Sequence, residues 1–173
     1  MKAFMIKNKT SQYIFFILIS GLAIFFDRLT KMLAAKYLIS GRVYKFISDI
    51  LEFTYTENRG ASFGILQNQR ILFYFIALIV ICVVFYILYK LPADNKYLPF
   101  YLCIIFIFSG AVGNLIDRII NGYVVDFIYF KPINFPVFNV ADIYITISVL
   151  LVFILLTFIY KEEDTAFLTG NKK

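Results

Sequence analysis

One stretch of this sequence limits the fold more than any other: from Ile71 to Tyr89 the chain carries no charged residue and almost nothing polar. At about 1.5 Å per helical residue it is long enough to cross a hydrocarbon core of about 30 Å. Three further runs resemble it, near residues 13–35, 97–116 and 140–160. A hydrophobic share of 61% with 16% charge lies outside the range of soluble globular chains and fits a chain whose solvent is lipid. The expectation is an all-α membrane protein. It forms a single membrane domain of four antiparallel transmembrane helices, with a small β element and a loop on the outer surface.

The connections follow from local chemistry. Leu91-Pro92-Ala93-Asp94-Asn95-Lys96 is a short breaker-rich turn, so the third span returns beside the second. The basic start of the first span resembles a signal peptide, but no small-x-small cleavage site follows it, so it reads as a retained span. Alternation in Leu51-Glu52-Phe53-Thr54-Tyr55-Thr56 suits a short strand with one apolar face. It lies within a surface segment of about residues 40–68. The second surface segment, about 118–138, carries Gly122, Pro132 and Pro136 among aromatics and reads as a loop dipping into the interface. Four spans put both termini on one side. Counting lysines and arginines does not say which, with 8 on the terminal side and 9 on the other, which together make up the 17 of the chain.

Composition also removes chemistries. The chain has no histidine, so Ser/His and Cys/His nucleophile pairs and His-based metal sites are excluded. Its two cysteines, Cys82 and Cys103, lie inside apolar runs, where a thiol behaves as a small hydrophobe. The net charge of +6 is carried at chain ends and between apolar runs, where lipid headgroups rather than nucleic acid are the partner.

What remains is carboxylate chemistry. Asp117 ends the third apolar run and Asp142 opens the fourth, each preceded by an asparagine at one spacing, Asn114-x-x-Asp117 and Asn139-x-x-Asp142. Antiparallel neighbours bring both to one membrane depth, where ionisable groups are costly enough to call for a function. Two carboxyls a few ångströms apart do not both ionise easily, so one serves as acid while the other activates water. Against this stand ordinary readings: Asp142 as a first-turn helix aspartate, and Asp117 in an ion pair with Arg118 or Lys131. Asn114 and Asn139 either orient the carboxylate one turn on or merely cap and pack. Asp27 and Lys31, at i and i+4, form an intrahelical pair, or Lys31 braces loop carbonyls. Asn58-Arg59-Gly60-Ala61-Ser62-Phe63-Gly64 is a glycine turn or a loop that lets a peptide backbone come close. Arg118 and Asp126 are expected to pair and pin the loop.

Five blocks in order resemble lipoprotein signal peptidase, the bacterial type II signal peptidase: Asp27-Arg28-Leu29-Thr30-Lys31, Asn58-Arg59-Gly60-Ala61-Ser62-Phe63, Gly110 through Arg118, Val124-Val125-Asp126-Phe127 and Phe138-Asn139-Val140-Ala141-Asp142. The resemblance implies an aspartic endopeptidase that uses no cofactor and no metal. It would remove signal peptides from diacylglyceryl-prolipoproteins just before the lipidated cysteine, with an Asp dyad activating water. It implies Asp117 and Asp142 as the catalytic pair, with Asp27, Lys31, Asn58, Gly60, Asn114, Arg118, Asp126 and Asn139 supporting the site or binding substrate. It also implies a monomer in the bacterial cytoplasmic (inner) membrane, termini cytoplasmic and active site at the outer face, with membrane lipid as neighbour and no nucleic-acid partner. Two positions depart from the family pattern: Ser109 stands where a second glycine is frequent, and Phe135 where a tryptophan is common. A transporter would set its charges near the bilayer midplane, and a scaffold without chemistry would tolerate loss of either aspartate.

Overall fold

The computed structural model describes residues 6, 8–60 and 69–169; Ala61, Ser62, Phe63 and Gly64 of the glycine loop lie outside these. In order the chain forms helix α1 (Lys9–Leu38), strands β1 (Tyr44–Ile47) and β2 (Leu51–Asn58), helices α2 (Arg70–Lys90) and α3 (Leu98–Ile120), strand β3 (Val124–Phe130), helix α4 (Val140–Ile154) and helix α5 (Glu162–Thr169). A π-helical turn, Leu155–Ile159, extends α4. The described residues thus contain four helices long and apolar enough to cross a membrane, where the apolar runs place them.

α1 runs further than its apolar run because a polar residue caps it. Asn8 starts α1 four residues early: its side chain accepts from Ser11 N at 2.8 Å, and Ser11 Oγ accepts from Asn8 N at 3.2 Å. This reciprocal box satisfies two amides at the helix start. At the same end Lys9 Nζ donates to Leu88 O (3.3 Å), Tyr89 O (2.8 Å) and Leu91 O (2.5 Å), taking up carbonyls that α2 leaves orphaned. α3 continues to Ile120, so Asp117 and Arg118 belong to its last turn rather than to the chain beyond it.

α3 is the centre of the bundle. Half of its apolar window is buried inside the protein, against 11% to 22% for the other three spans, and it packs on α1, α2 and α4. A cluster around Phe16, Leu88, Leu91, Phe100, Tyr101 and Ile105 fills the end that carries α5. The outward faces stay apolar, with Ile17, Leu22, Phe25, Ile71 and Phe158 all more than 60% exposed, which suits contact with acyl chains.

The second surface segment is not a loop as expected. Its residues 124–130 form β3, which pairs antiparallel with β2 (Thr56↔Asp126, Asn58↔Val124), and β1 pairs with the other edge of β2. Five consecutive β3 residues, Val124 to Ile128, are buried. A strand covered on both faces shows no alternation, so its period is invisible in the sequence. Val125, Phe127 and Ile128 join Ala34 and Leu38 of α1 in a second apolar cluster, which seats the sheet on the end of α1 beside the termini of α3 and α4.

Candidate active site

The site forms where the end of α1, the end of α3, the start of α4 and the β2–β3 pair meet. Asp27 is fully buried on α1. Its Oδ1 accepts from Ala141 N at 2.9 Å, capping one of the free amides in the first turn of α4. Its Oδ2 lies 2.9 Å from Lys31 Nζ, an ion-pair contact without hydrogen-bond alignment. Two glycines on one face of α3 permit this closeness. A Cβ on Gly113 would stand 2.5 Å from Asp27 Oδ2, and one on Gly110 would stand 2.5 Å from Ala141 O.

Lys31 is 1% exposed and meets three side chains on two helices, α1 and α3. Besides Asp27 it meets Asp117 Oδ2 at 3.0 Å and donates to Asn114 Oδ1 at 2.8 Å. The intrahelical pair expected from the i, i+4 spacing is present, as part of a larger cluster. Asp117, with no exposed surface, also pairs with Arg28 and accepts from Val125 N at 3.4 Å. Its ion pair is therefore internal, with two cations of α1, and not with Arg118 or Lys131. Arg28 was not singled out as a site residue. The signal lay in its spacing, one turn before Lys31 at the charged end of an apolar helix.

Asp126 and Asp142 are held differently. Asp126 accepts from Asn58 Nδ2 at 2.8 Å and Asn139 Nδ2 at 2.6 Å. Asp142 accepts from Asn114 Nδ2 at 2.9 Å and from the Asn139 backbone amide at 3.1 Å. Among the described residues neither carries an ion pair. Asn139 touches both, and its Oδ1 caps α4 by accepting from Asp142 N at 3.1 Å. Burial, and next the charge of Asp142, push the Asp126 carboxyl up to about 7. Asp142 itself is only partly buried, so the pair opens to one side. Two carboxyls bound by neutral amides, one of them holding its proton to near-neutral pH, can act as acid and base together.

The expected Arg118–Asp126 pair is absent among the described residues. Arg118 instead donates to Asn114 O (3.3 Å) and Gly60 O (3.4 Å) and lies over the Phe73 ring, 4.4 Å from its centroid. Each oxygen of Asp126 instead accepts from an asparagine, Asn58 or Asn139, and the guanidinium goes to the Gly60 carbonyl. Gly60 N in turn donates to Asn58 Oδ1 at 2.9 Å. All ten residues singled out from the sequence thus lie in one connected network. Phe73 and Tyr74 of α2 join it without having been foreseen, since an aromatic inside an apolar span gives no signal of its own.

The family model described as signal peptidase (SPase) II matches residues 14–158. Over 143 residues the chain is 45% identical to a lipoprotein signal peptidase of Caldanaerobacter subterraneus subsp. tengcongensis, covering 82% of this chain and 95% of that one. A lipoprotein signal peptidase of Streptococcus agalactiae is 40% identical over 147 residues, 85% and 92% of the two chains. Among solved structures, a bacterial membrane enzyme obtained by the in meso method at 2.3 Å resolution superposes with a TM-score of 0.74 at 36% identity. It covers 85% of this chain and 92% of its own.

Proposed function

The chain belongs to the signal peptidase II family, and on that premise we propose that it removes signal peptides from diacylglyceryl-modified prolipoproteins, cutting before the lipidated cysteine, with Asp126 and Asp142 as the reacting pair. One observation carries the choice of pair. Asp117, the partner expected from the Asn-x-x-Asp pattern, has no exposed surface and one oxygen on each of two cations, Arg28 and Lys31, which suits a framing role. Asp126 and Asp142 have only amide partners and share Asn139.

In this mechanism Asp126 carries the proton at rest and Asp142, on the open side, is the base. Asp142 takes a proton from water as the oxygen attacks the scissile carbonyl carbon, and Asp126 gives its proton to the carbonyl oxygen. The tetrahedral gem-diol collapses when the proton now on Asp142 passes to the leaving nitrogen. The C–N bond breaks, and one hydroxyl returns its proton to Asp126. Asn139 stays bonded to both carboxyls throughout, so the pair is positioned before substrate arrives. Asp27, Lys31 and Asp117 serve as the frame, and Asn58, Asn114 and Asn139 orient the dyad.

In this reading the bilayer supplies proximity, because a diacylglyceryl group holds the scissile bond at the interface, the depth we assign to the carboxyls near the ends of three spans. An apolar groove of about 620 Å³ between α1 and the sheet, lined by Leu33, Tyr37, Phe53 and Phe127 among others, offers the substrate an apolar surface beside them. We place the enzyme as a monomer in the bacterial cytoplasmic membrane, its termini cytoplasmic and its site at the outer face.

The test is cleavage of a diacylated prolipoprotein by the purified full chain in proteoliposomes. Asp126→Asn and Asp142→Asn are each expected to lower the rate by about 10²- to 10⁴-fold, and EDTA to leave the wild type fully active. Near wild-type cleavage by either folded variant, or activity lost to EDTA and restored by zinc, would overturn the mechanism.

A further inference from the structure

α2 supplies no group to the reaction described above, yet its first turns hold one of the supporting residues. Arg118 has a long flexible stem, and its two hydrogen bonds, at 3.3 and 3.4 Å, are too long to fix a guanidinium alone. Phe73 and Tyr74 give it a bed. The Phe73 ring centroid lies 4.4 Å from Arg118 Cζ, close contact for a cation over an aromatic face. Tyr74 OH donates to Arg118 O at 3.1 Å, occupying a last-turn carbonyl of α3. Gly122, at φ +80°, lies against the Arg70 guanidinium of α2, where a Cβ would meet Cζ at 2.8 Å.

From Arg118 one line of contacts leads through Gly60 and Asn58 to Asp126. Arg118 Nη2 donates to Gly60 O, Gly60 N donates to Asn58 Oδ1 at 2.9 Å, and Asn58 Nδ2 donates to Asp126 Oδ2 at 2.8 Å. We propose that Phe73 is a positioning residue for the reaction: its ring fixes the Arg118 guanidinium against Gly60, and through the Asn58–Gly60 turn keeps Asn58 on Asp126. This rests on the reading that Asp126 and Asp142 react. Without the ring, Arg118 is free to turn and the Asn58 amide leaves Asp126 for part of the time. The loss falls on turnover more than on substrate binding, because neither Phe73 nor Arg118 touches the reacting carboxyls.

The experiment compares Phe73→Leu, Phe73→Tyr and Phe73→Trp in the full chain, measuring kcat and KM on a diacylated prolipopeptide together with the unfolding temperature in detergent. Leucine keeps an apolar side chain and removes the π face, whereas tyrosine and tryptophan keep the face. Phe73→Leu is expected to lower kcat about 3- to 30-fold, from the usual worth of a cation–π contact, with KM unchanged and the unfolding temperature lowered by no more than about 8 °C. Phe73→Tyr and Phe73→Trp are expected to stay near wild type. The inference is overturned by wild-type kcat in Phe73→Leu, by a loss that Phe73→Tyr and Phe73→Trp share, or by a loss that appears in KM and not in kcat. Asp126→Asn is assayed alongside. If it cleaves normally, the choice of reacting pair has failed. If it is inactive while Phe73→Leu is normal, only the role of Phe73 has failed.

Discussion

Asp117→Asn separates a framing carboxylate from a reacting one. In the native protein Asp117 is wholly buried, 3.0 Å from a Lys31 that is 1% exposed, and paired with an Arg28 that is 25% exposed. Breaking a buried pair by removing one partner costs about 3 to 5 kcal/mol. Here the lower end applies, because Lys31 keeps Asp27 at 2.9 Å and Asn114 at 2.8 Å, while Arg28 can turn toward water. A loss of about 3 kcal/mol corresponds to a fall of about 6 to 12 °C in unfolding temperature for a chain of this length. The asparagine can still accept from Val125 N, so β3 stays close to register and cleavage well below the unfolding temperature is expected within about tenfold of wild type. Asp126→Asn should do the opposite, keeping or raising the unfolding temperature while removing turnover, since it deletes a carboxyl whose charge burial already disfavours. The assay is thermal unfolding in detergent paired with initial cleavage rates at about 25 °C. An Asp117→Asn protein as stable as wild type, yet as inactive as Asp142→Asn, would refute the assignment of Asp117 to the frame.

Four further outcomes follow from contacts already described. Gly113→Ala is expected to destabilise and inactivate, because its Cβ would lie 2.5 Å from an Asp27 oxygen whose carboxyl is held by Ala141 N and Lys31. Gly21→Ala, on the open face of α1 with nothing within 4 Å, should be neutral or stabilising by up to about 1 kcal/mol in thermal unfolding. Asp126, raised to about 7 in the folded protein, binds its proton more tightly there than in the unfolded chain. Its contribution to stability is therefore full below about pH 4 and lost as pH rises through about 7. Denaturation measured across that window should show the decline, and Asp126→Asn should flatten it. Lys9→Met removes the donor to three carbonyls at the end of α2 and should lower stability by about 1 kcal/mol while leaving cleavage at low temperature intact.

The spans were legible because lipid imposes a length and a composition that nothing else in the sequence imitates; the cap at Asn8 moved the start of α1 by only four residues, and the cap at Asn139 left α4 starting where expected. β2 was legible from its alternation. β3 was not, since Val124 to Ile128 are covered on both sides and read as one more apolar run. At the site, residue types and their common depth were readable, but pairing was not. A sequence shows Asp126 only as a carboxylate in a surface segment, and it becomes a candidate for reaction once β3 carries it against Asn139 and the start of α4. Arg28 was hidden by the opposite effect, because a basic residue near a span end passes for an interfacial anchor until Asp117 is seen against it.

The repeated Asn-x-x-Asp spacing invites a reading within each helix, each asparagine serving the aspartate one turn on. Asn139 partly does this, as the cap of α4, while its amide nitrogen goes to Asp126. Asn114 does not: its amide crosses to Asp142, and its oxygen takes Lys31 and Asn139. The motif is a cross-brace between α3 and α4, and that explains why it repeats. A local bond within one helix would orient a carboxylate relative to its own backbone only, leaving the distance between the reacting groups to the packing of two helices. Bonds that cross fix each carboxyl against the other element. Gly110 and Gly113 then have a function beyond packing, because they set the spacing of α3 against α4 and α1 at which these crossing bonds close. Substitutions that widen this spacing should therefore reduce turnover before they unfold the bundle, and a cleavage rate that falls only in step with unfolded fraction across a Gly110 and Gly113 series would argue against it.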